Sequence, residues 1–382
     1  MRSIHLRGAE APSHPRIFRK RVRAADPGIG PGEVVAVRTA EGRFVGRAFF
    51  SPRSVVAARI LDREEAGPPV DAAWFRGRIR AAHELRARVL GLPESTDAFR
   101  VVHAEGDGLS ALVIDRYADV AVIEVGSRAM FEHLHELEEC VRALPGISRV
   151  VVRADPTAER IEGFSAEDRR AGPAETVITE HGLRFRVDCR GGHKTGFFLD
   201  QRESRRAVGE LARGRRVLDL CCYTGGFALS AARGGAASAR GVDLDETAIE
   251  RARANAALNG LNASFEHADA FDVLRAGARG DLVLLDPPKL ASRREELPRA
   301  RRKSVDLNTH ALACVEPGGL LFTFCCTGLF SPDDFQGHVR EASHRAGRPA
   351  RVLRVAGQPP DHPVDLQCPE GRYFTGLLLQ VA

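Results

Sequence analysis

From about residue 181 onward, short apolar runs alternate with helix-like stretches, and this rhythm restricts the fold more than any other feature of the chain. The runs are "RVLDL" (216–220), "ARGVDL" (239–244), "ASFEHAD" (263–269), "DLVLLD" (281–286) and "GLLFTFC" (319–325). Each has strand length and carries mainly branched or aromatic apolar residues. Between them lie stretches such as "ETAIERARANAALNG", whose apolar positions recur at helical spacing and whose Gly260 suits a C-cap. Strands separated by helices pair in parallel through crossovers, so the pattern predicts βαβ units and a parallel sheet. Two late runs, "ARVLRVAG" and "YFTGLLLQV", read as an antiparallel edge joined by a short Pro-rich loop. The predicted class is α/β with a mixed sheet.

The first 180 residues follow a different plan. "GEVVAVRT", "GRFVGRAFF" and "SVVAARIL", separated by turn sequences, predict a small β-barrel-like module over residues 1–75. A mixed α/β unit is expected over 76–180. There "AAWFRGRIRAAHELRARVLGL" and "MFEHLHELEECVRAL" read as helices, "RVVHAEGDGLSALVIDRY" as a hairpin, and "VAVIEV" and "RVVVRA" as strands. "EGFSAEDRRAGPAE" reads as a polar loop. The third expected domain spans 181–382.

Charge says where to look for a partner. The formal net charge is +5, but residues 1–23 hold seven Arg or Lys against the single acid Glu10. That stretch suits either a solvated basic tail or a nucleic-acid contact. Only four of the 56 basic residues are Lys, at 20, 194, 289 and 303, a hint that a compact ammonium is needed there. No apolar stretch reaches the roughly 18 residues of a membrane span, and the N-terminus has no signal-peptide core. A cytoplasmic protein with reduced thiols is expected. Its eight cysteines include no CxxC pair, which argues against a zinc ribbon or a thioredoxin-like motif. No metal site is predicted.

Ligands of open α/β sheets bind beyond the carboxyl ends of the strands. The five apolar runs end in Asp219, Asp243, Asp269, "DPPK" (286–289) and the thiols Cys325 and Cys326. The first turn, "DLCCYTGG", brings Gly225 and Gly226 to a helix start but is not the GxGxxG of pyrophosphate binding. Asp243 stands about twenty residues further on, where an acid can bind both hydroxyls of a ribose. Asp269 is placed for an adenine amine. Acids of this kind without a phosphate loop describe S-adenosylmethionine, although Asp245 and Asp269 also suit helix caps. "DPPK" forms a rigid turn that offers Asp286 and nearby carbonyls to a planar base. A strand-end thiolate could add to C6 of a cytosine and make C5 nucleophilic, provided the base is unstacked. Neighbours on a strand face opposite sides, so only one of the two thiols can do this. Equally, both could be small buried hydrophobes.

Five stretches together resemble one known family: "GGHKTGFFLDQRESR", "VLDLCCYTGGFALSAARGGA", "LVLLDPPK", "TFCCTG" and "DHPVDLQCPEGRYFTGLLLQV". They are similar to the bacterial ribosomal large-subunit RNA cytosine-5 methyltransferase I family. "SHPRIF", "GRAFFSPRS" and "EGDGLSALVIDRY" extend the likeness over nearly the whole chain. The resemblance implies an N-terminal PUA RNA-binding domain, a central mixed α/β domain and a C-terminal Rossmann-like class I methyltransferase with a seven-stranded mixed sheet. It implies S-adenosylmethionine as cofactor and 23S rRNA, or a large-subunit precursor, as partner; a homodimer is compatible with it. The family's "TFSCSG" puts the nucleophile at its fourth residue, Cys326, with Cys325 where Ser is usual. Asp286 would bond the N3/N4 edge of cytosine, with Lys289 beside it. Asp219, Tyr223, Gly225, Asp243, Leu244, Asp269 and Ala270, with Asp286, would hold the cofactor. Lys194, Gln201, Arg202, Pro287 and Pro288 would line the crevice. Cys222 departs from the family's usual Ser. Two rivals stay open: a guanine-N methyltransferase on the same fold, and a non-catalytic RNA-binding assembly factor.

Overall fold

The computed structural model describes residues 1–167 and 175–382. Part of the polar stretch read as a loop, 168–174, lies outside them. Contacts divide the chain into two compact units. One comprises 1–180, 187–199 and 360–371; the other comprises 181–186, 200–359 and 372–382.

The first unit opens with β1 (Ser3–Leu6), β2 (Arg16–Phe18), β3 (Val22–Ala25), β4 (Val34–Arg38), β5 (Phe44–Phe50) and β6 (Val56–Asp62). They form one six-stranded sheet in the order β2-β6-β5-β4-β1-β3. The basic N-terminus is therefore not a solvated tail. Ile4, Leu6 and Ile17 are inward-facing core residues, and burying such side chains contributes roughly 1.5–3 kcal/mol each. Its arginines are partly spent within the fold: Arg2 pairs with Glu33 and Arg16 with Glu105.

Helix α1 (Ala72–Glu84) starts where the Asp71 carboxylate caps the amides of Ala73 and Trp74, and it continues into a π-turn at Leu85–Val89. Then come β7 (Ala98–His103), β8 (Leu112–Tyr117), β9 (Val120–Val125), α2 (Arg128–Glu132), α3 (Leu134–Arg142) and β10 (Arg149–Ala154). The four strands make a sheet in the order β10-β9-β8-β7. The stretch read as one helix, "MFEHLHELEECVRAL", is broken at His133. A buried ionic network joins β6 to this layer: Arg59, with Glu105 and Glu162 about 4 Å away. Helix α4 (Pro156–Glu162) and β11 (Glu175–Glu180) follow.

The second unit holds the alternating segment. After β12 (Leu183–Asp188) run α5 (Arg202–Leu211), β13 (Arg216–Leu220), α6 (Gly226–Arg233), β14 (Ser238–Asp243) and α7 (Glu246–Asn259). They are followed by β15 (Ser264–His267), α8 (Ala270–Arg275), β16 (Gly280–Leu285), α9 (Leu297–Cys314), β17 (Val315–Cys325), α10 (Pro332–Arg345), β18 (Ala350–Ala356) and β19 (Thr375–Val381). The seven-stranded sheet has the order β15-β14-β13-β16-β17-β19-β18. β13 to β17 pair in parallel, and β19 runs antiparallel to both β17 and β18. Gly260 caps α7 at φ 61°. The connection between β18 and β19 is not short: it runs over 357–374, and 360–371 belong to the first unit. Among the described residues no helix is long and apolar enough to cross a membrane.

Candidate active site

The strand order reverses between β13 and β16, so the crevice of the second unit opens where β13, β14 and β16 end. After β13 the chain turns through Cys221 (φ 62°), Tyr223 (φ 48°) and Gly225 (φ 83°) before α6 begins. Three left-handed residues in five compress the turn against the sheet. Gly225 is glycine for a second reason. A Cβ there would sit 2.7 Å from the ring of Phe265 and 3.2 Å from the Cβ of Ala252.

Asp219 is fully buried, and one of its oxygens accepts from the amide of Ala228 at 3.0 Å. Its Oδ1 and the buried Thr224 hydroxyl have no hydrogen-bond partner among the described residues. Burial pushes the Asp219 carboxyl up to about 8, and the nearby Asp286 and Asp243 add to the rise against the opposing Ala228 amide. Asp243 is half-buried and fixed from both sides, accepting from the amides of Tyr223 (2.8 Å) and Asp245 (2.9 Å). Leu244, 63% exposed, follows it at the rim. Asp269 caps α8 by accepting from Phe271 at 2.7 Å, which places Ala270 in the first turn of that helix. Asp245 likewise caps α7.

On the other side of the crevice stands "DPPK". Asp286 is half-buried, and the Gln201 side-chain amide donates to its Oδ2 at 2.9 Å. Pro287 is buried, whereas Pro288 and Lys289 are exposed. The two thiols separate as strand alternation requires. Cys325 is 8% exposed and belongs to the apolar core with Leu285, Leu307 and Phe335. Burial raises its thiol, the nearby Thr327 working against that rise. Cys326 is half-buried, and its Sγ lies 3.7 Å from the carbonyl oxygen of Pro287. The amide of Leu290 donates to the Thr327 hydroxyl at 3.0 Å and ties the two turns together.

Arg202 is fully buried at the start of α5, with its guanidinium 3.4 Å from Glu203. Lys194 belongs to the first unit, on a left-handed residue (φ 53°) with its ammonium 4.8 Å from the Phe198 ring centroid. Two features escaped the sequence reading: the hydroxyl of Tyr373, which donates to Asp200 at 2.7 Å, and the unpartnered Thr224 hydroxyl. Neither carries a local signal, because the first depends on residues 173 positions apart.

Residues 152–367 match the family model for S-adenosylmethionine-dependent methyltransferases, and 13–63 match that for PUA-like domains. A ribosomal RNA large subunit methyltransferase I from Aeromonas hydrophila subsp. hydrophila is 37% identical, covering 96% of this chain and 95% of that one. The chain belongs to the ribosomal RNA large subunit methyltransferase I family. A relative of the same name from Erwinia tasmaniensis is 36% identical over the same shares. The fold agrees with the solved structure of SMU.776, described as a methyltransferase complexed with SAH, at a TM-score of 0.82, 20% identity and full coverage of both chains.

As a member of this family the chain uses S-adenosylmethionine as its cofactor. The crevice fits that group. Buried acceptor atoms of Asp219 and Thr224 lack partners, and Asp243 presents a fixed carboxylate to hydroxyl donors. A ligand bearing an amine and ribose hydroxyls can supply hydrogens to all three.

Proposed function

We propose that the protein methylates C5 of a cytosine in 23S rRNA through a covalent adduct between Cys326 and C6 of the base. The observation that carries this reading is the division of labour between the thiols. Cys325 is packed in the core, while Cys326 is accessible and lies 3.7 Å from the Pro287 carbonyl of "DPPK". The relatives' name, ribosomal RNA large subunit methyltransferase, supports RNA as the substrate class.

Asp219, Tyr223, Gly225, Asp243, Leu244, Asp269 and Ala270, with Asp286, would hold the cofactor, which supplies an electrophilic methyl group on a sulfonium. Cys326, as the thiolate, adds to C6 and moves the ring's electron pair to C5, the atom that becomes methylated. Asp286, held by Gln201, accepts from the N4 amine and orients the base. A general base then takes the C5 proton, and the electrons of that C–H bond expel the thiolate. Pro287 and Pro288 stiffen the turn that carries Asp286. Lys289 and Lys194 supply positive charge for the RNA, whereas Arg202, fully buried beside Glu203, has a structural part. We assign RNA binding to residues 1–75, a supporting role to 76–180 and the chemistry to 181–382, acting on rRNA in the cytoplasm.

Cys326→Ala tests the reading. Mapping 5-methylcytosine across 23S rRNA should show one site lost in cells that carry only the variant. Methyl transfer that persists in the variant would favour guanine-N chemistry, which needs no thiol. A parent protein that binds no S-adenosylmethionine by titration calorimetry would favour a non-catalytic assembly factor.

A further inference from the structure

Directly after the "DPPK" turn, residues 293–303 hold six basic side chains against two acids, and Arg301 is the one that pairs outside the run, with Glu341. Arg293, Arg294, Arg299, Arg302 and Lys303 are all exposed. Among the described residues Arg294, Arg299, Arg302 and Lys303 have no hydrogen-bond or ion-pair partner, and Arg293 lies near Glu296. Other exposed arginines of the second unit reach acids, among them Arg206 with Glu203, Arg216 with Asp281 and Glu316, Arg240 with Glu266, and Arg345 with Asp306 and Glu341, while Arg213, Arg340, Arg351 and Arg354 have no such partner among the described residues. Within the segment Glu296 is engaged by the amides of Ser292 and Arg293, which leaves Glu295 as its one unengaged acid.

The fold fixes where this charge stands. Leu290 is pinned to Thr327 beside Cys326, and Ala291 is buried, so the basic run begins from an anchored point at the mouth of the crevice. Helix α9 then buries Ala300, Ser304, Leu307, Asn308 and Ala311. Helical periodicity leaves Arg299, Arg302 and Lys303 together on the solvent side. Arg299 and Lys303 are like charges at i and i+4, an arrangement that disfavours the helix. The arrangement costs the isolated protein stability and is relieved by a polyanion.

We propose that residues 293–303 form a phosphate-binding ridge that grips the RNA strand flanking the target base and holds it over the catalytic sheet. The ridge rests on the reading of the protein as an rRNA methyltransferase, and it assigns part of the RNA contact to the catalytic unit rather than to the N-terminal module alone. The partner is chosen by charge: a row of unpaired cations matches a sugar–phosphate backbone, and each phosphate neutralised on a single strand contributes about 0.7 to the slope of log K against log salt.

The test compares the full-length parent, the triple variant R299Q/R302Q/K303Q and the control R206Q/R240Q/R275Q, which removes three positive charges elsewhere. Binding to protein-free 23S rRNA is measured across a salt series, with methylation of the same RNA in parallel. The ridge variant should lose on the order of tenfold to a hundredfold in affinity, lower its salt slope by about 2 and raise its KM for RNA. The control should keep the parent's slope. In the parent, bound RNA should shield Lys303 from acetylation, a readout that needs no variant. An active parent with an unchanged slope in the ridge variant and no shielding of Lys303 overturns the ridge alone; a parent that neither binds nor methylates rRNA overturns the functional reading as well. Polyglutamate binding by the parent that is lost in the ridge variant, with RNA binding intact in that variant, would assign the ridge to an acidic protein and refute the proposal.

Discussion

Asp219→Asn should reveal a carboxyl that stays protonated in the folded, cofactor-free protein up to about pH 8. The cause is geometric: the side chain is fully buried, holds one amide hydrogen bond and shares its neighbourhood with two other acids. In the unfolded chain the same group titrates near 3.8. The folded pKa is raised, so the group's stabilising contribution is complete below about pH 4 and is lost as pH climbs toward 8. Each unit of difference corresponds to about 1.4 kcal/mol, so the parent gives up on the order of 5 kcal/mol from this one site across that window. Asparagine resembles the neutral acid, keeps an acceptor for Ala228 and does not titrate. It adds a buried N–H in place of the unpartnered Oδ1, at a pH-independent cost of about 1–3 kcal/mol. Urea unfolding of parent and variant without cofactor, at intervals from pH 4.5 to 8.5, isolates the effect in the difference. The variant should gain on the parent by at least about 3 kcal/mol over that range. A difference that stays flat with pH would mean that Asp219 is ionised throughout, and the electrostatic reading of the turn would be wrong.

Gly225→Ala should destabilise the second unit by about 2–4 kcal/mol, from a left-handed backbone and a Cβ 2.7 Å from the Phe265 ring; a urea midpoint within error of the parent's would contradict this. Asp243→Ala should weaken S-adenosylmethionine binding in calorimetry by tenfold or more, since a fixed carboxylate facing hydroxyls is worth about 1.5–3 kcal/mol. Unaltered affinity would remove Asp243 from the cofactor site. Gln201→Ala frees one oxygen of Asp286 and should lower kcat/KM for RNA with S-adenosylmethionine affinity retained, and an equal loss of both would point to general disruption instead.

The catalytic sheet was legible because its strands are short, apolar and separated by helices, so pattern and pairing agree for "RVLDL", "DLVLLD" and "GLLFTFC". The separation of Cys325 from Cys326 followed from the two-residue period of a strand and needed no tertiary knowledge. What stayed hidden depends on residues far apart in sequence. The basic N-terminus suits a tail as well as a nucleic-acid contact in sequence, because strands of three or four residues carry too few apolar positions to show alternation. The loop after β18 looked short because its Pro and Asp composition says turn, while the packing of 360–371 with the first unit cannot be read locally. Lys194 lay within a stretch that read as one with Gln201, yet the contacts assign it to the first unit and Gln201 to the second. The Gln201–Asp286 bond spans 85 positions, and no local pattern announces it.

The sharpest test of the account asks which atom becomes joined to the substrate. A 23S rRNA fragment containing 5-fluorocytosine, given S-adenosylmethionine, should trap the enzyme, because fluorine at C5 blocks the proton loss that would release it. Peptide mass spectrometry should then find the nucleotide on Cys326. An adduct on Cys325 instead, or continued methylation of ordinary rRNA by a protein that forms no adduct, would contradict the mechanism at its centre.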